Sequence, residues 1–494
     1  MKFENPTIQL LVDKYRSIWS LIYADTLINW DTETYMPEMG VKSRGKVLAD
    51  INCLVQKIIL EKEFTDLIIA SEKEKSLNDF EKRAIYRLNK SVKQYQLLPA
   101  EFIKKWSDLI AQASTVWAKA KRENNYDIFE PYLKKIFELT RKRAKYLDPT
   151  KDVYDSVFDQ YEDGMTSIEL DKYFSELKTF LNSIDLKKVA SKSKIDLSQD
   201  KYSKVKMRKL NNKVLDYLGQ DKKRFRIDTS MHPFSLFLSP DDIRITTSYP
   251  DYDFTCSLFP TIHEFGHGLF ASNVDKNLEG TPLWPETSYA LHESLSRYWE
   301  NFIGRSRGFV KYFYKDFIKL NKVYSSYKVD DFYSYFNKVE PSLIRVEADE
   351  ITYHYHIIIR YEVEKALLNN EITTKEAPKL WNKLYKKYLG IEPKNYSEGI
   401  LQDVHWAFGS IGYFPTYSLG STLSAIWDKK MKKDIGTDFQ TLEISEIKNI
   451  NKWFKDKIHV YGGAYNLEEI SLKAGDQKFS SKPWQEYIKT KYLQ

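Results

Sequence analysis

Cysteine is almost absent from this chain. Among 494 residues there are two, Cys53 and Cys256, which lie far apart and outside any paired motif. A disulfide framework is therefore not expected, which is typical of a protein in a reducing compartment. Histidine is also scarce, at eight residues, so a pattern that places two histidines one helical turn apart carries more information than it would in a histidine-rich chain.

Long apolar runs are missing as well. No run of about 18 apolar residues occurs, and the first residues, MKFENPTIQLLVDKYRS, carry charges on both sides of a short apolar run. We therefore expect neither a transmembrane helix nor a secretory leader. The resulting expectation is a cytoplasmic protein with no membrane partner.

An excess of one charge sign is absent too. The formal net charge of +7 arises from 76 Lys and Arg against 69 Asp and Glu, and the two signs are interspersed. Nucleic-acid binding would require a clustered basic face, so no nucleic-acid partner is expected. Hydrophobic residues make up 42% of the chain and aromatic residues 15%, which suits a large core and is too rich for disorder.

Helical periodicity dominates the chain, with no fixed-period repeat and no Pro/Gly-rich linker. One early stretch, NWDTETYMP at residues 29–37, is polar and aromatic, and from its residues alone we interpret it as a turn between helices. The hydrophobic pattern changes over residues 224–249, where two segments of alternating apolar and polar residues flank turn residues at 239–241. This pattern predicts a small antiparallel sheet in a mainly α-helical protein.

The segment TIHEFGHGLF contains the H-E-x-x-H pattern. On a helix, His263 and His267 lie one turn apart on the same face, so two imidazoles converge on one metal ion. Glu264 then projects beside the metal, where a carboxylate accepts a proton from bound water. Gly266 and Gly268 each weaken this helix by about 1 kcal/mol relative to Ala, which indicates that something, such as another backbone, approaches closely there.

Two histidines and a general base leave a catalytic zinc one protein ligand short. The metal helix is predicted over residues 255–271, and a second helix that begins near Pro285 offers His292 and Glu293. Glu293 shares one face with Arg297 and Glu300, a polar stripe that suits a ligand with hydrogen-bonding support. The alternative for Glu293 is a surface ion pair with Arg297, and we favour the ligand.

Further polar groups follow downstream. An oxyanion formed on a peptide carbonyl needs neutral or cationic donors, and His405, Tyr413 and Tyr417 are of the right types. If the substrate ends in a carboxylate, an arginine fork is the natural clamp, which Arg345 or Arg244 supplies. For each of these residues the alternative is an ordinary core or ion-pair role.

Together these segments resemble the thermostable carboxypeptidase family of metallopeptidases, the Taq carboxypeptidase-like group. The motifs that carry the resemblance are, in chain order, WD-x-x-T-x-MP from Trp30, HPF from His232, D-x-R-x-T from Asp242, HExGH from His263, HES-x-SR from His292, I-R-x-x-A-D from Ile344, G-x-x-Q-D-x-H-W from Gly399 and GYFPTY from Gly412. Several independent motifs in order are specific, whereas H-E-x-x-H alone is not. One departure is Gly268, which stands where the family commonly has Ala.

The resemblance implies a mainly α-helical, single-domain protein over residues 1–494 with a long substrate groove. Helices within about 1–223 would cover the groove, the metal and substrate site would lie within about 224–420, and further helices would fill 421–494. A homodimer is also implied, with one divalent metal ion per chain, zinc favoured and cobalt as the alternative. The implied site residues are metal ligands His263, His267 and Glu293, catalytic residues Glu264, His405 and Tyr413, and substrate-binding residues Arg345, Arg244, Tyr417 and Gln402.

We therefore predict a metal-dependent carboxypeptidase, a hydrolase that removes residues from peptides with a free C-terminus. The C-terminal peptide bond would be hydrolysed by a metal-activated water, with Glu264 as general base. Two alternatives stay open. One is an oligopeptidase or endopeptidase with the same metal core, and the other is a non-catalytic metal- or peptide-binding protein.

Overall fold

The computed structural model describes residues 3–190, 193–198, 200–230, 232–285, 288–437, 439 and 441–493. The described chain is mainly helical, as predicted. In chain order its helices and strands are α1 (Pro6–Thr34), α2 (Val41–Ile59), α3 (Lys62–Ser71), α4 (Asp79–Leu97), α5 (Ala100–Glu123), α6 (Glu130–Leu147), α7 (Val153–Phe158), α8 (Ser167–Asn182), α9 (Leu186–Val189), α10 (Lys204–Leu218), β1 (Phe225–Thr229), β2 (Ser235–Ser239), β3 (Asp242–Thr247), α11 (Thr255–Asn273), α12 (Tyr289–Arg297), α13 (Arg307–Phe317), α14 (Val329–Phe336), α15 (Tyr353–Leu368), α16 (Ala377–Leu389), α17 (Pro415–Ile435), α18 (Ile444–Lys457), α19 (Leu467–Gly475) and α20 (Lys482–Tyr492).

The chain divides into two compact units, each assembled from three stretches. Unit 1 comprises Met1–Tyr95, Ser193–Phe336 and Ser424–Phe479, and unit 2 comprises Gln96–Lys192, Asn337–Leu423 and Ser480–Gln494. Residues 1–223, which the sequence groups as one helical part, thus contribute to both units. That the whole chain acts as one catalytic domain stays a prediction.

The N-terminal helices of unit 1 form around a shared apolar cluster. The side chain of Asn5 caps α1 by accepting hydrogen bonds from the backbone N–H groups of Thr7 and Ile8, at 2.9 and 3.3 Å, which satisfies donors that a helix start leaves unpaired. Leu11 and Ile18 of α1 pack in one cluster with residues of α2, α3 and α4. This packing holds α1 in place over its first half.

The predicted turn at residues 29–37 is wrong for its first six residues, because α1 continues to Thr34. Trp30 is 1% exposed, and its ring meets the ring of Phe234 edge to face at a centroid distance of 5.4 Å. Asp31 forms an ion pair of 2.6 Å with Arg44. Burial of a large aromatic surface outweighs the turn-like polarity of the neighbouring residues.

The sheet of unit 1 is mixed, not antiparallel as predicted. Its strand order is β1-β3-β2, with β1 parallel and β2 antiparallel to β3. The short turn at residues 239–241 joins β2 directly to β3 and so makes that pair antiparallel. The two alternating segments that the sequence identifies are β1 and β3, and because β2 lies between them in the chain they pair in parallel.

Helix α11, predicted over residues 255–271, is observed over Thr255–Asn273 and is buried on nearly all sides. A helix that is apolar all round belongs in the core of a large protein. The helix that follows begins at Tyr289 and not near Pro285, because the hydroxyl of Ser288 caps it by accepting a hydrogen bond of 2.9 Å from Leu291 N. Glu286 and Thr287 lie outside the described residues.

Unit 2 is built on the buried helix α15, which carries Arg360 and Glu364 with both side chains 0% exposed. Helix α6 packs Leu133 and Ile136 into the same unit, and both are fully buried, which agrees with the apolar face that periodicity gives this helix. In the part of the chain that the structure describes, no helix is long and apolar enough to cross a membrane.

Candidate metal centre

The two histidines of α11 point at a carboxylate of α12. His263 Nε2 lies 3.7 Å and His267 Nε2 lies 3.8 Å from Glu293 Oε2. The ligand atoms of these three side chains all lie within 4.8 Å of one another. Among the described residues this is the only such group of His, Cys, Asp and Glu side chains.

The three ligand atoms fit a divalent metal. Zinc bonds of about 2.1 Å at tetrahedral angles separate two ligand atoms by about 3.4 Å, close to the observed 3.7 and 3.8 Å. Two imidazole nitrogens and one carboxylate oxygen form the donor set of catalytic zinc sites, which keep one position for water or substrate. Burial lowers the pKa of His267 well below its usual value, which keeps its imidazole in the neutral form that binds metal.

Close packing of α11 on α12 depends on Gly266. A Cβ atom there would lie 2.8 Å from Ser296 Cα and 2.9 Å from the carbonyl oxygen of Leu295. The prediction that another backbone approaches this glycine is therefore confirmed. At Gly268 the nearest atoms are different, since a Cβ would meet side-chain carbons of Phe225 and Ile243 at 2.7 and 2.8 Å.

A carboxylate behind the ligands orients His263. Nδ1 of this histidine lies 3.0 Å from Glu300 Oε2, so its Nε2 is the atom left to face the metal. Burial opposes the ionisation of Glu300, but Arg297, His263 and Arg305 together hold its pKa well below the usual range. Arg297 Nε also donates a hydrogen bond of 2.8 Å to Glu293 Oε1, leaving Glu293 Oε2 as the oxygen nearest the histidines.

The wide helical turn after α12 brings Arg305 to Glu300. Residues Tyr298–Gly304 form a π-helix, in which hydrogen bonds run from i to i+5. Arg305 follows Glu300 by five residues, and its Nη2 lies 3.3 Å from Glu300 Oε1. The polar stripe predicted on this helix is present, but α-helical spacing does not predict the contact of Arg305 with Glu300.

His292, the other residue that the second helix offers as a ligand, has a different position. Its ring stacks on the ring of His267 at a centroid distance of 4.1 Å and an interplanar angle of 13°. Phe237 and Phe270 also contact it, and burial lowers its pKa to about 4. His292 thus supports the ligand ring from the side, as a neutral aromatic group.

Glu264 lies next to the ligands as a buried carboxyl group. Burial raises its pKa to about 7, although His263 and a hydrogen bond with Ser235 of β2 oppose the shift. A carboxyl group of this pKa is suited to accept and return a proton near neutral pH. The strand β2 is thus part of the surroundings of the metal centre.

Unit 2 holds a second cluster of predicted site residues. His405 Nε2 lies 3.1 Å from the hydroxyl of Tyr417, and the rings of Tyr413 and Tyr417 meet edge to face at 5.2 Å. Burial lowers the pKa of His405 to about 3, so its ring is neutral. His405, Tyr413 and Tyr417 therefore lie together, as a set of neutral hydrogen-bonding groups.

Arg345 of unit 2 is buried in a network of charges. Its Nε and Nη2 lie 3.0 and 2.9 Å from Asp403 Oδ1, while Arg360 Nε donates at 2.7 Å to the other oxygen, Oδ2. Gln402 accepts a hydrogen bond of 2.9 Å from the backbone N–H of Arg345 and donates one of 3.1 Å to Leu343 O. Two guanidinium groups thus share one carboxylate.

Arg244 of unit 1 lies on β3 in a simpler ion pair. Its Nε and Nη2 donate to the two oxygens of Asp242, both at 2.9 Å. The single positive charge of Arg244 is therefore matched by the single negative charge of Asp242. The two arginines that the sequence proposes as clamps therefore differ in how fully their charge is compensated.

Comparison with known proteins identifies the chain. The sequence profile described as Carboxypeptidase Taq (M32) metallopeptidase matches residues 11–492. The chain belongs to this M32 family. It is therefore a metallocarboxypeptidase, a hydrolase that acts on peptide bonds, and the family resemblance drawn from its motifs is confirmed.

Relatives of the M32 enzyme match over nearly the whole chain. Thermostable carboxypeptidase 1 of Pyrococcus furiosus is 36% identical over 99% of both chains, and carboxypeptidase 1 of Bacillus subtilis is 35% identical over 95% of this chain and 94% of the relative. A solved structure of the Pyrococcus furiosus carboxypeptidase has a TM-score of 0.96 over 100% of both chains, at 36% identity. Trypanosoma cruzi metallocarboxypeptidase 1 reaches 0.92 at 28% identity over 99% of both chains.

Some residues that contact the predicted site residues have no strong sequence signal. Asp403 stands within the predicted Q-D-x-H-W motif, but its two arginine partners do not follow from that motif. Arg360 occurs in the apolar run YHYHIIIRYEVEKALL, where a single arginine among buried residues is the available clue, because a buried charge requires a partner. No α-helical spacing in the sequence links Arg305 to Glu300.

Proposed function

We propose that His263, His267 and Glu293 hold one divalent metal ion per chain, with zinc favoured and cobalt as the alternative. The observation that carries this proposal is the convergence of their three ligand atoms within 4.8 Å. The donor set suits zinc, and the same nitrogen and oxygen ligands accept cobalt. When bound, the metal supplies Lewis-acid chemistry that polarises a peptide carbonyl and activates water.

Glu264 is the general base of this proposal. It accepts the proton of the attacking water and returns it to the amine that leaves when the peptide bond breaks. Its position next to a ligand histidine and its raised pKa, about 7, support this role. Glu300 contributes indirectly, because its hydrogen bond fixes the orientation of His263.

His405, Tyr413 and Tyr417 are proposed as the donors to the negatively charged oxygen of the tetrahedral intermediate. A neutral imidazole can donate one hydrogen bond, and tyrosine hydroxyls donate without carrying charge. The contact between His405 Nε2 and the Tyr417 hydroxyl, at 3.1 Å, supports a shared role for this group.

Arg345 is our preferred reader of the substrate carboxylate, ahead of Arg244. The group of Arg345, Arg360 and Asp403 contains two positive charges and one negative charge, so one positive charge remains for an anion. Arg244 is paired one to one with Asp242. A guanidinium group that already forms a bidentate ion pair binds a second carboxylate less strongly. For Gln402, we propose that it serves substrate binding by holding the backbone of Arg345.

Two further proposals rest on the family resemblance: the substrates are peptides with a free C-terminus, and the enzyme is a homodimer. A third, that it acts in the cytoplasm, rests on the composition of the chain. The two cysteines, Cys53 and Cys256, are both exposed and form no disulfide, which supports a reducing compartment.

A pair of peptides tests the proposed reaction. The two share one sequence, but one ends in a free carboxylate and the other in an amide, and products are followed by mass spectrometry with and without a chelator. The free acid should give a ladder of peptides shortened from the C-terminus, the amide should be cut far more slowly, and the chelator should stop both. Internal cuts, or equal rates on the two peptides, would contradict the proposed requirement for a free C-terminus.

A further inference from the structure

Arg143 of α6, in unit 2, has no counter-charge. Within the described residues its guanidinium group forms no ion pair and no hydrogen bond, whereas its neighbour Arg141 donates a hydrogen bond of 2.9 Å to Leu367 O. Burial lowers the pKa of Arg143, and no carboxylate acts on it to oppose that effect. The Arg143 side chain is half-buried, and a charged group that is largely removed from water without a partner is costly for a folded protein.

Arg143 lines a small cavity whose walls carry no acidic group. The cavity volume is about 10 Å³, which is room for roughly one water-sized particle. Ser156 also lines the cavity. Its side chain is buried, and its hydroxyl makes no hydrogen bond to the described residues. The cavity thus combines a positive charge with a hydroxyl donor that is not otherwise engaged.

We propose that this cavity binds one small monovalent anion of about the size of chloride, held by the guanidinium group of Arg143 and the hydroxyl of Ser156. An anion neutralises the half-buried charge of Arg143 and accepts hydrogen bonds from both the guanidinium group and the hydroxyl. The small volume excludes sulfate, phosphate and the end of a peptide chain. Water fills the same volume but leaves the charge of Arg143 uncompensated.

The cavity also borders the segment between two proposed catalytic residues. Gly409 and Ile411, which lie between His405 and Tyr413 in the chain, form part of its wall. Tyr161, which is close enough to Arg143 to interact with its charge, packs its ring edge to face against Tyr413 at a centroid distance of 5.3 Å. A bound anion would therefore stabilise the segment that carries Tyr413, which gives the site a structural role in the enzyme.

Bromide gives a direct test, because it replaces chloride and is identified by its anomalous X-ray scattering. Crystals of the wild-type enzyme soaked in bromide should show an anomalous peak next to Arg143. In solution, replacing gluconate by chloride at constant ionic strength should raise the thermal midpoint by about 1–3 °C. Sulfate at the same ionic strength should not reproduce this increase.

Three variants complete the test. Arg143→Gln should abolish the response to chloride, while the matched control Arg141→Gln should keep it, since that arginine is bonded to a carbonyl. If Arg143→Gln does not fold, Ser156→Ala should weaken the response instead. Absence of bromide at Arg143 in the wild-type crystals, or an equal chloride response in Arg143→Gln, would overturn the proposal. None of these measurements depends on peptidase activity, so they stand apart from the proposed function.

Discussion

Replacing Gly266 by Ala is expected to damage the metal centre without touching a ligand. The added Cβ would lie 2.8 Å from Ser296 Cα, well inside the 3.4 Å at which ordinary contact begins. Because both nearest atoms belong to the backbone of α12, relief requires the two helices to move apart by about half an ångström. Overpacking of this kind costs about 1–3 kcal/mol, and the better helix propensity of Ala returns only about 1 kcal/mol.

The consequence for metal binding follows from the position of Glu293, three residues before Ser296 on α12. Metal sites require ligand distances correct within about 0.2 Å, so a shift of α12 should weaken zinc binding by roughly tenfold or more. The dissociation constant is measured by competition with a chromophoric chelator, and the thermal midpoint of the metal-free protein reports the change in stability.

Gly268→Ala provides the matched control on the same helix. Its Cβ would meet Phe225 Cε1 and Ile243 Cγ2, side-chain atoms of the sheet, so any repacking falls on β1 and β3 and not on the backbone of α12, which carries Glu293. We expect little change in zinc affinity for this variant. If Gly266→Ala bound zinc as tightly as the wild type and melted at the same temperature, the close approach of the two helices would not be what sets the separation of the ligands.

Four further predictions concern single side chains. Glu264→Gln should retain its metal but lose about 10²–10⁴-fold in kcat, and near-normal turnover would contradict its role as general base. Glu300→Gln should raise the zinc dissociation constant about 10–100-fold, measured with the same chelator; an unchanged constant would mean that His263 is oriented by other contacts. Arg345→Lys should lower kcat/KM on free-acid peptides about 10–100-fold, mainly through KM, and a larger effect of Arg244→Lys would reassign the clamp. Burial raises the pKa of Glu364 to about 8 from an ordinary 4.5. Between these values the carboxyl is ionised in the unfolded chain but keeps its proton in the native protein, so the wild type should lose stability as pH rises from about 5 to 8. Glu364→Gln should flatten that pH dependence in thermal melts.

Much of the metal centre was predictable from the sequence because its parts are close in the chain. The spacing of His263 and His267 fixes their common face on any helix, and Glu293 comes from the next helix along the chain. The close approach at Gly266 was likewise predicted, because a glycine inside a helix that must be stable indicates a packing reason. The structure adds the distances, with the ligand atoms of His263, His267 and Glu293 within 4.8 Å of one another.

Two of the incorrect predictions about local structure have a common cause. Residues 29–37 look like a turn from their own polarity, but the burial of Trp30 keeps α1 helical as far as Thr34. The alternating segments at β1 and β3 look like an antiparallel pair, but the strand between them occupies one side of β3 and leaves β1 to pair in parallel. Both outcomes depend on contacts made beyond the local pattern. Trp30 is buried against Phe234, and β1 pairs with β3 on the side that β2 leaves open.

The sequence by itself determined the family, through several motifs in order along the chain. It also determined the helical class from periodicity, and the predicted ligands and the carboxylate beside them from short spacing. Only the tertiary structure decided which groups meet across the chain. The contact of Arg305 with Glu300 requires a π-helical turn, the sharing of Asp403 by Arg345 and Arg360 joins three separate segments, and the lack of a partner for Arg143 is visible only once its surroundings are packed. Such contacts are set by how helices stack around buried charges, and no spacing in the sequence encodes them.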